Sequence, residues 1–172
     1  MPSAEPCANF ALIEIDMNEP ALSSFAARGA NDSIERDLVF QPKFDASGLI
    51  PAIVTDGGSG AVLMFAFMDA SALRLTIETG QAHFWSRSRG KLWKKGEDSG
   101  NVLSVSEIRT DCDQDVVWLS AKVSGNGVAC HTGAESCFYR RLVPSSASPG
   151  GVILERVAGS SEASAIGSAP KA

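Results

Sequence analysis

Between about Phe44 and Leu142, short apolar runs alternate with clusters of turn-forming residues, a rhythm that belongs to strands joined by tight connections. Ile50 to Thr55 and Ala61 to Met68 flank Asp-Gly-Gly-Ser-Gly, a composition that closes hairpins, so these two runs are predicted to pair antiparallel. Asp69 suits an N-cap, Leu73 and Ile77 fall four residues apart, and Gly80 stands where a helix end takes a left-handed residue. A short helix is predicted there. Strand-like stretches follow at His83 to Arg87, Val102 to Arg109, Val116 to Val123 and Phe138 to Val143, rich in β-branched and aromatic residues. The fold class predicted is α+β, mostly antiparallel, with one or two short helices.

The ends read differently. Residues 1–43 mix small and acidic residues with Pro2, Pro6 and Pro20 and hold no sustained helical or strand period. They are read as an N-terminal extension, partly ordered, ahead of a working domain at 44–143. From 144 to 172 a Ser/Ala/Gly-rich tail carries one short apolar stretch, Val-Ile-Leu-Glu-Arg-Val. It is expected to be largely disordered, because such a composition cannot fill a core.

Composition narrows the class. At 172 residues and 44% hydrophobic content, the chain can bury one good core. No apolar run approaches the roughly 18 residues that span a bilayer, and the opening Met-Pro-Ser-Ala-Glu-Pro-Cys-Ala-Asn-Phe has no basic lead before an apolar stretch. A soluble, cytoplasmic protein with no membrane partner is the expectation. The net charge of −5 argues against coating nucleic acid, so phosphate recognition must be local. In a reducing compartment the four cysteines point to metal or catalytic thiols rather than disulfides. Cys7, outside the patterned region, reads as a free surface thiol.

Cys112, Cys130 and Cys137 are separated by seventeen and six residues, unlike the paired knuckles of structural zinc fingers. Three thiolates leave a zinc with one open position, where water can be activated. Buried cysteine is also an ordinary small core residue, and on spacing alone the two readings stand level. The context Gly-Val-Ala-Cys-His-Thr-Gly tips the balance. It puts His131 beside Cys130 in a glycine-flanked loop, as a candidate acid/base; a fourth ligand or a plain surface histidine are the alternatives. Asp111, Asp113 and Asp115 alternate with Cys112 and Gln114, so on a strand the carboxylates would share one face and Cys112 would project from the other. Three hard oxygen donors suit Mg²⁺; a solvated acidic turn is the bland reading.

The segment from His83 to Asn101 gathers five of the fifteen Lys and Arg residues into nineteen positions. Arg87 and Arg89 would share a strand face, with Lys94, Lys95 and the Ser99-Gly-Asn101 loop offering further donors to phosphate. Lysine pairs are more often solvated charges, and Trp85 and Trp93 are more often core than stacking platforms.

These segments together resemble the phosphoribosyl-AMP cyclohydrolases of histidine biosynthesis. The resemblance runs from about Leu49 to Arg141, through LIPAIVTD, VLMFAFMD, HFWSRSRGKLWKKGEDSGN, EIRTDCDQD and ACHTGAESCFYR in order. It implies zinc on Cys112, Cys130 and Cys137, magnesium on Asp111, Asp113 and Asp115, and a compact barrel-like sheet in an intertwined homodimer with zinc bound between subunits. The implied substrate is a small nucleotide whose adenine ring is opened at C6–N1 by zinc-activated water, giving the phosphoribosyl-formimino-aminoimidazole carboxamide ribotide. His131 would then relay protons, and Arg87, Arg89, Lys94, Lys95 and Ser99 would hold phosphate. Some members carry a fused pyrophosphohydrolase; the tail after Leu142 is read as too short for one, so a monofunctional enzyme is expected.

Two rivals predict different observations. A zinc deaminase would release ammonia, and its H-x-E and P-C-x-x-C patterns are missing from this sequence. A zinc module binding RNA through stacked aromatics would show a closed four-ligand site and steeply salt-dependent binding.

Overall fold

The computed structural model describes residues 25–147 and 149–157. Along the chain it places α1 (Asn31–Arg36), β1 (Ile50–Asp56), β2 (Val62–Met68), α2 (Ala70–Thr79), β3 (His83–Ser86), β4 (Lys91–Lys94), β5 (Leu103–Thr110), β6 (Val117–Val123), β7 (Arg140–Pro144) and β8 (Val152–Arg156). The first six strands form one sheet in the order β4-β3-β2-β1-β6-β5, and β7 pairs only with β8.

The predicted hairpin is β1–β2, in antiparallel register from Ile50↔Met68 to Thr55↔Val62. Its turn is built by Asp56, whose Oδ1 accepts from the Gly58 and Ser59 amides at 3.1 and 2.7 Å and from the Ser59 hydroxyl at 2.8 Å. The predicted helix is α2. Asp69 Oδ1 caps it by accepting from Ala72 N at 2.8 Å, and Gly80, at φ 64°, ends it in the left-handed conformation that costs glycine least. Leu73 faces the core, but Ile77 is exposed and Thr76 is buried in its place. The Thr76 hydroxyl donates to Ala72 O and accepts from His83 N at 2.9 Å, so a polar tether fixes how the helix lies on β3.

Strand alternation sorts the sheet into two faces. Ile50, Ala52 and Val54 on β1, Val117, Leu119 and Ala121 on β6, and Phe84 on β3 are fully buried and form the core with Leu73 and Leu103. The paired residues Phe65, Ile53 and Trp118 lie on the other face, with Ile53 and Phe65 exposed. The β1–β6 pair is parallel, an exception the antiparallel reading did not anticipate. At one end the edges approach each other: Val105 N donates to Gly80 O at 2.7 Å and Ala82 N to Leu103 O at 3.0 Å. The sheet is thereby curled into a half-barrel, and the α+β class is that of the prediction.

Two predicted strands change. The stretch His83 to Arg87 stops at Ser86, because Gly90 N donates to Ser86 O at 2.8 Å and closes a turn over residues 87–90 with Gly90 at φ 58°. The stretch begun at Phe138 starts instead at Arg140, and its partner β8 comes from the apolar stretch inside the 144–172 tail. Residues 25–44 pack against the domain: Phe25, in ring contact with Phe40 at 5.6 Å and with Phe44 at 6.2 Å, lies with both of them against the core, and Ile34 of α1 is buried. Cys7 and residues 158–172 lie outside the described residues.

Candidate active site

Two loops face each other across a cleft of about 1190 Å³. One wall is the end of β4 and the Lys95–Asn101 loop. The opposite wall is the 126–133 loop, including Cys130, His131 and Thr132. The first loop depends on Gly96, at φ 86°, where an added Cβ would sit 2.3 Å from the Asn101 carbonyl carbon. Asn101, buried, spends its side-chain oxygen on the Asn126 amide at 2.9 Å and so ties the walls together at their base. The second loop is closed by hydrogen bonds from Cys130 N to Ala134 O (3.0 Å) and from Gly133 N to Cys130 O (3.1 Å), then tethered to β2 by Cys137 N to Leu63 O at 2.8 Å. Four cationic side chains, Arg89, Lys91, Lys94 and Lys95, line the cleft against two carboxylates, Glu97 and Asp98. The cleft therefore favours an anion despite the acidic chain.

Cys130, Cys137 and Lys95 form one electrostatic cluster. Burial works to raise the Cys130 thiol, but hydrogen bonds from Thr132 and Cys137 and the charge of Lys95 outweigh it, leaving it below its ordinary range. The Thr132 hydroxyl donates to Cys130 Sγ at 3.1 Å. Cys137 is exposed overall, yet its sulfur faces this cluster; burial and then the Cys130 charge push its thiol up to about 11. Lys95 is lowered by burial, with both sulfurs opposing. A second proton is thus harder to remove than the first, the pattern of two thiols close enough to interact directly. His131, exposed on the cleft, has Nδ1 4.0 Å from Cys130 Sγ.

Asp111, Asp113 and Asp115 converge, each offering an oxygen within 4.8 Å of the others, and no other group of three or more such donors occurs among the described residues. They do so on a turn, not on the strand face expected. Gln114 takes φ 58°, and Asp111 Oδ1 accepts from the Asp115 and Val116 amides at 3.0 and 3.1 Å. Lys43 Nζ stands 3.1 Å from Asp113 Oδ2 and 3.0 Å from Asp115 Oδ2. These bonds raise the lysine and hold the Asp113 carboxyl below the usual carboxylate range.

The sequence model of the phosphoribosyl-AMP cyclohydrolase family matches residues 64–139. The chain is 60% identical over 123 residues to the phosphoribosyl-AMP cyclohydrolase of Brucella anthropi, covering 71% of this chain and 87% of that protein. The chain belongs to the phosphoribosyl-AMP cyclohydrolase family. The Brucella canis protein of the same name is 58% identical over 125 residues, 72% of this chain and 90% of that one. The Sinorhizobium medicae protein of that name is 59% identical over 120 residues, 69% and 80% of the two chains.

For a cyclohydrolase, the placement of the residues singled out in the sequence is uneven. Cys130, His131, Arg89, Lys94, Lys95 and Ser99 meet in the cleft. Arg87 does not join them: its guanidinium lies 4.1 Å over the Phe67 ring, because the turn separates it from Arg89, which bonds Ser86 Oγ at 3.1 Å. Trp93 packs on Phe84 at 5.3 Å and also lines the cleft, with the Arg89 guanidinium 6.0 Å from its ring, so it is both part of the core and part of the site wall. Glu107 pairs with Arg109 at 2.8 Å. Cys112 is exposed on the aspartate turn. Its turn leads into β6 at Val117, opposite Ala52 at the start of β1, while Cys137 is tethered beside the far end of β1. The two are separated by roughly 10 Å along the strand direction alone. One chain thus offers soft donors from Cys130 and Cys137 together and Cys112 apart. That set fits a zinc ion only if a further thiol arrives from elsewhere. The aspartates, hard donors already gathered around a cation, fit a divalent ion such as magnesium. Thr132 and Lys43 escaped the sequence reading. Thr132 had a weak signal, two residues past Cys130; Lys43 had none.

Proposed function

We propose that this chain hydrolyses the C6–N1 bond of phosphoribosyl-AMP, a step of histidine biosynthesis. The observation that carries the proposal is the meeting, in one cleft, of Cys130, His131 and the cationic wall formed by Arg89, Lys94 and Lys95, with Cys137 coupled to Cys130 from beside it. Ribosylation at N1 disturbs the aromaticity of the purine and leaves C6 an electrophilic, amidine-like carbon. Zinc held by cysteines supplies the Lewis acidity that makes water a nucleophile near neutral pH. The chain's own groups do the rest. Arg89, Lys94, Lys95 and Ser99 hold phosphate and fix C6 against the thiol end of the cleft. His131 takes the proton of the incoming water and delivers it toward N1 as the C6–N1 bond breaks. The exocyclic amine stays on the product, so no ammonia leaves.

The zinc set is completed by Cys112 of a second copy. Two features support a homodimer with the site shared between subunits: Cys112 stands apart from Cys130 and Cys137 within one chain, and Ile53 and Phe65 form an exposed apolar pair on adjacent strands, beside Trp118 under the Arg109 guanidinium. Magnesium belongs to Asp111, Asp113 and Asp115. Three thiols serving as ligands call for a reducing compartment, which supports a cytoplasmic location.

The test is an absorbance assay for ring opening of phosphoribosyl-AMP with parallel ammonia detection and metal analysis, on zinc-loaded wild type and Cys130→Ala. Ring opening without ammonia, lost together with zinc in the variant, is the expected result. Ammonia release would establish a deaminase instead, and no turnover with both metals supplied would overturn the assignment.

A further inference from the structure

The aspartate turn is already served by a cation that belongs to the chain. Lys43 Nζ contacts Asp113 Oδ2 and Asp115 Oδ2 at 3.1 and 3.0 Å, while Asp111 commits Oδ1 to two backbone amides. This lysine does not arrive by chance of rotamer. Its backbone N–H donates to Gln114 O at 2.7 Å, inside the same turn. Two residues earlier, Gln41 N donates to Gln114 Oε1 at 2.5 Å, and the adjacent Phe44 packs on Phe25. The ammonium is therefore tethered within reach of the carboxylates at high effective concentration. Its side chain remains 48% exposed, so the ammonium has solvent to move into when it releases the carboxylates.

A divalent ion on this turn would sit on the same carboxylates that Lys43 now pairs with through Asp113 Oδ2 and Asp115 Oδ2, and an ammonium and a dication repel each other strongly at that separation. We propose that Lys43 is a built-in competitor cation: it holds Asp113 and Asp115 together when the divalent ion is absent and sets how much free divalent ion is needed to occupy the turn. This deepens the magnesium reading above and rests on it. Apparent affinity equals the intrinsic affinity multiplied by the fraction of time the lysine is released. Removing the lysine should tighten divalent binding about three- to tenfold, the range set by two exposed ion pairs. The gap between variant and wild type should narrow as salt screens the pairs.

The measurement is a titration of the full-length, zinc-loaded protein with manganous ion, followed by its electron paramagnetic resonance signal, and with magnesium by calorimetry. Wild type, Lys43→Gln and Asp113→Asn are compared. The expected result is tighter binding in Lys43→Gln, weaker in Asp113→Asn, and a smaller gap at high salt. Equal or weaker binding in Lys43→Gln, with Asp113→Asn still impaired, would overturn the competition and leave the magnesium site standing. Failure of every protein to bind either ion would sink both. Thermal unfolding guards against a folding defect: Lys43→Gln should melt lower than wild type without the divalent ion and gain more on its addition, and a variant insensitive to the ion would count against the proposal.

Discussion

Replacing Gln114 with alanine tests how the aspartate turn is held. Gln114 is buried, at φ 58°, and its amide is spent entirely on the N-terminal segment. Oε1 accepts from Gln41 N at 2.5 Å, and Nε2 donates to Ile34 O at 3.3 Å and Val39 O at 3.2 Å. Truncation leaves one buried N–H and two carbonyls without their partner. Lost buried hydrogen bonds cost about 0.5–1.5 kcal/mol each, and a stranded donor costs more, so a loss of about 3 kcal/mol is expected. That corresponds to a melting shift of roughly 6–12 °C for a domain of this size. Urea unfolding followed by tryptophan fluorescence, at fixed protein and zinc concentration, measures it directly, provided the slope m is unchanged. Alanine keeps the left-handed backbone penalty that glutamine already carries. Gln114→Gly should therefore be less damaging by up to about 1 kcal/mol. Limited trypsin digestion should cut faster after Arg28, Arg36 or Lys43 in both variants, because the segment loses its anchor. A cost below about 0.5 kcal/mol for Gln114→Ala, the size of an ordinary surface change, would refute the account.

Three further outcomes follow from the geometry. Gly96→Ala should abolish activity and destabilise the fold, since its Cβ would meet the Asn101 backbone at 2.3–2.4 Å where φ is already 86°; near-normal activity and melting would show that the cleft wall is looser than described. In metal-free protein Cys137 stays protonated up to about 11 while an unfolded chain ionises near 9. Because a raised folded pKa loses its advantage as pH climbs, stability should fall between those values in wild type and not in Cys137→Ser; parallel curves would refute the cluster. If the zinc site is shared, mixing inactive Cys112→Ala with inactive Cys130→Ala subunits should restore activity to about a quarter of wild type, since half the dimers are mixed and each carries one intact site; no recovery after subunit exchange would argue that each chain completes its own site.

The local pattern of the sequence was enough to place the β1–β2 hairpin, the capped helix α2 and the cores of β3, β5 and β6, because these depend on alternation, on Asp56 and Asp69 as local acceptors, and on Gly80 as a left-handed stop. That Cys130 and His131 would stand together was legible for the same reason: adjacent residues stay adjacent in any fold. Strand β4 was hidden inside a basic stretch read only for charge, and β8 inside a tail whose overall composition masks one short apolar run. The parallel β1–β6 pairing joins segments more than sixty residues apart, and no local rule reports such a pairing.

Spacing alone also predicted that the three aspartates would converge, although for the wrong backbone. A strand would have aligned them by its period of two; the protein instead gathers them on a turn with Gln114 left-handed and buried. Why glutamine occupies that position is visible only when residues 34–43 are seen wrapped around it. The same holds for Lys43, an unremarkable lysine in sequence that meets Asp113 and Asp115 from seventy residues away, and for Arg87, which a single turn diverts from the cleft onto Phe67. The sequence by itself determined which residue types could bind metal, phosphate and proton. The tertiary structure decided which of them meet, since contact between distant segments is set by the summed packing of the whole sheet and not by any window of the chain.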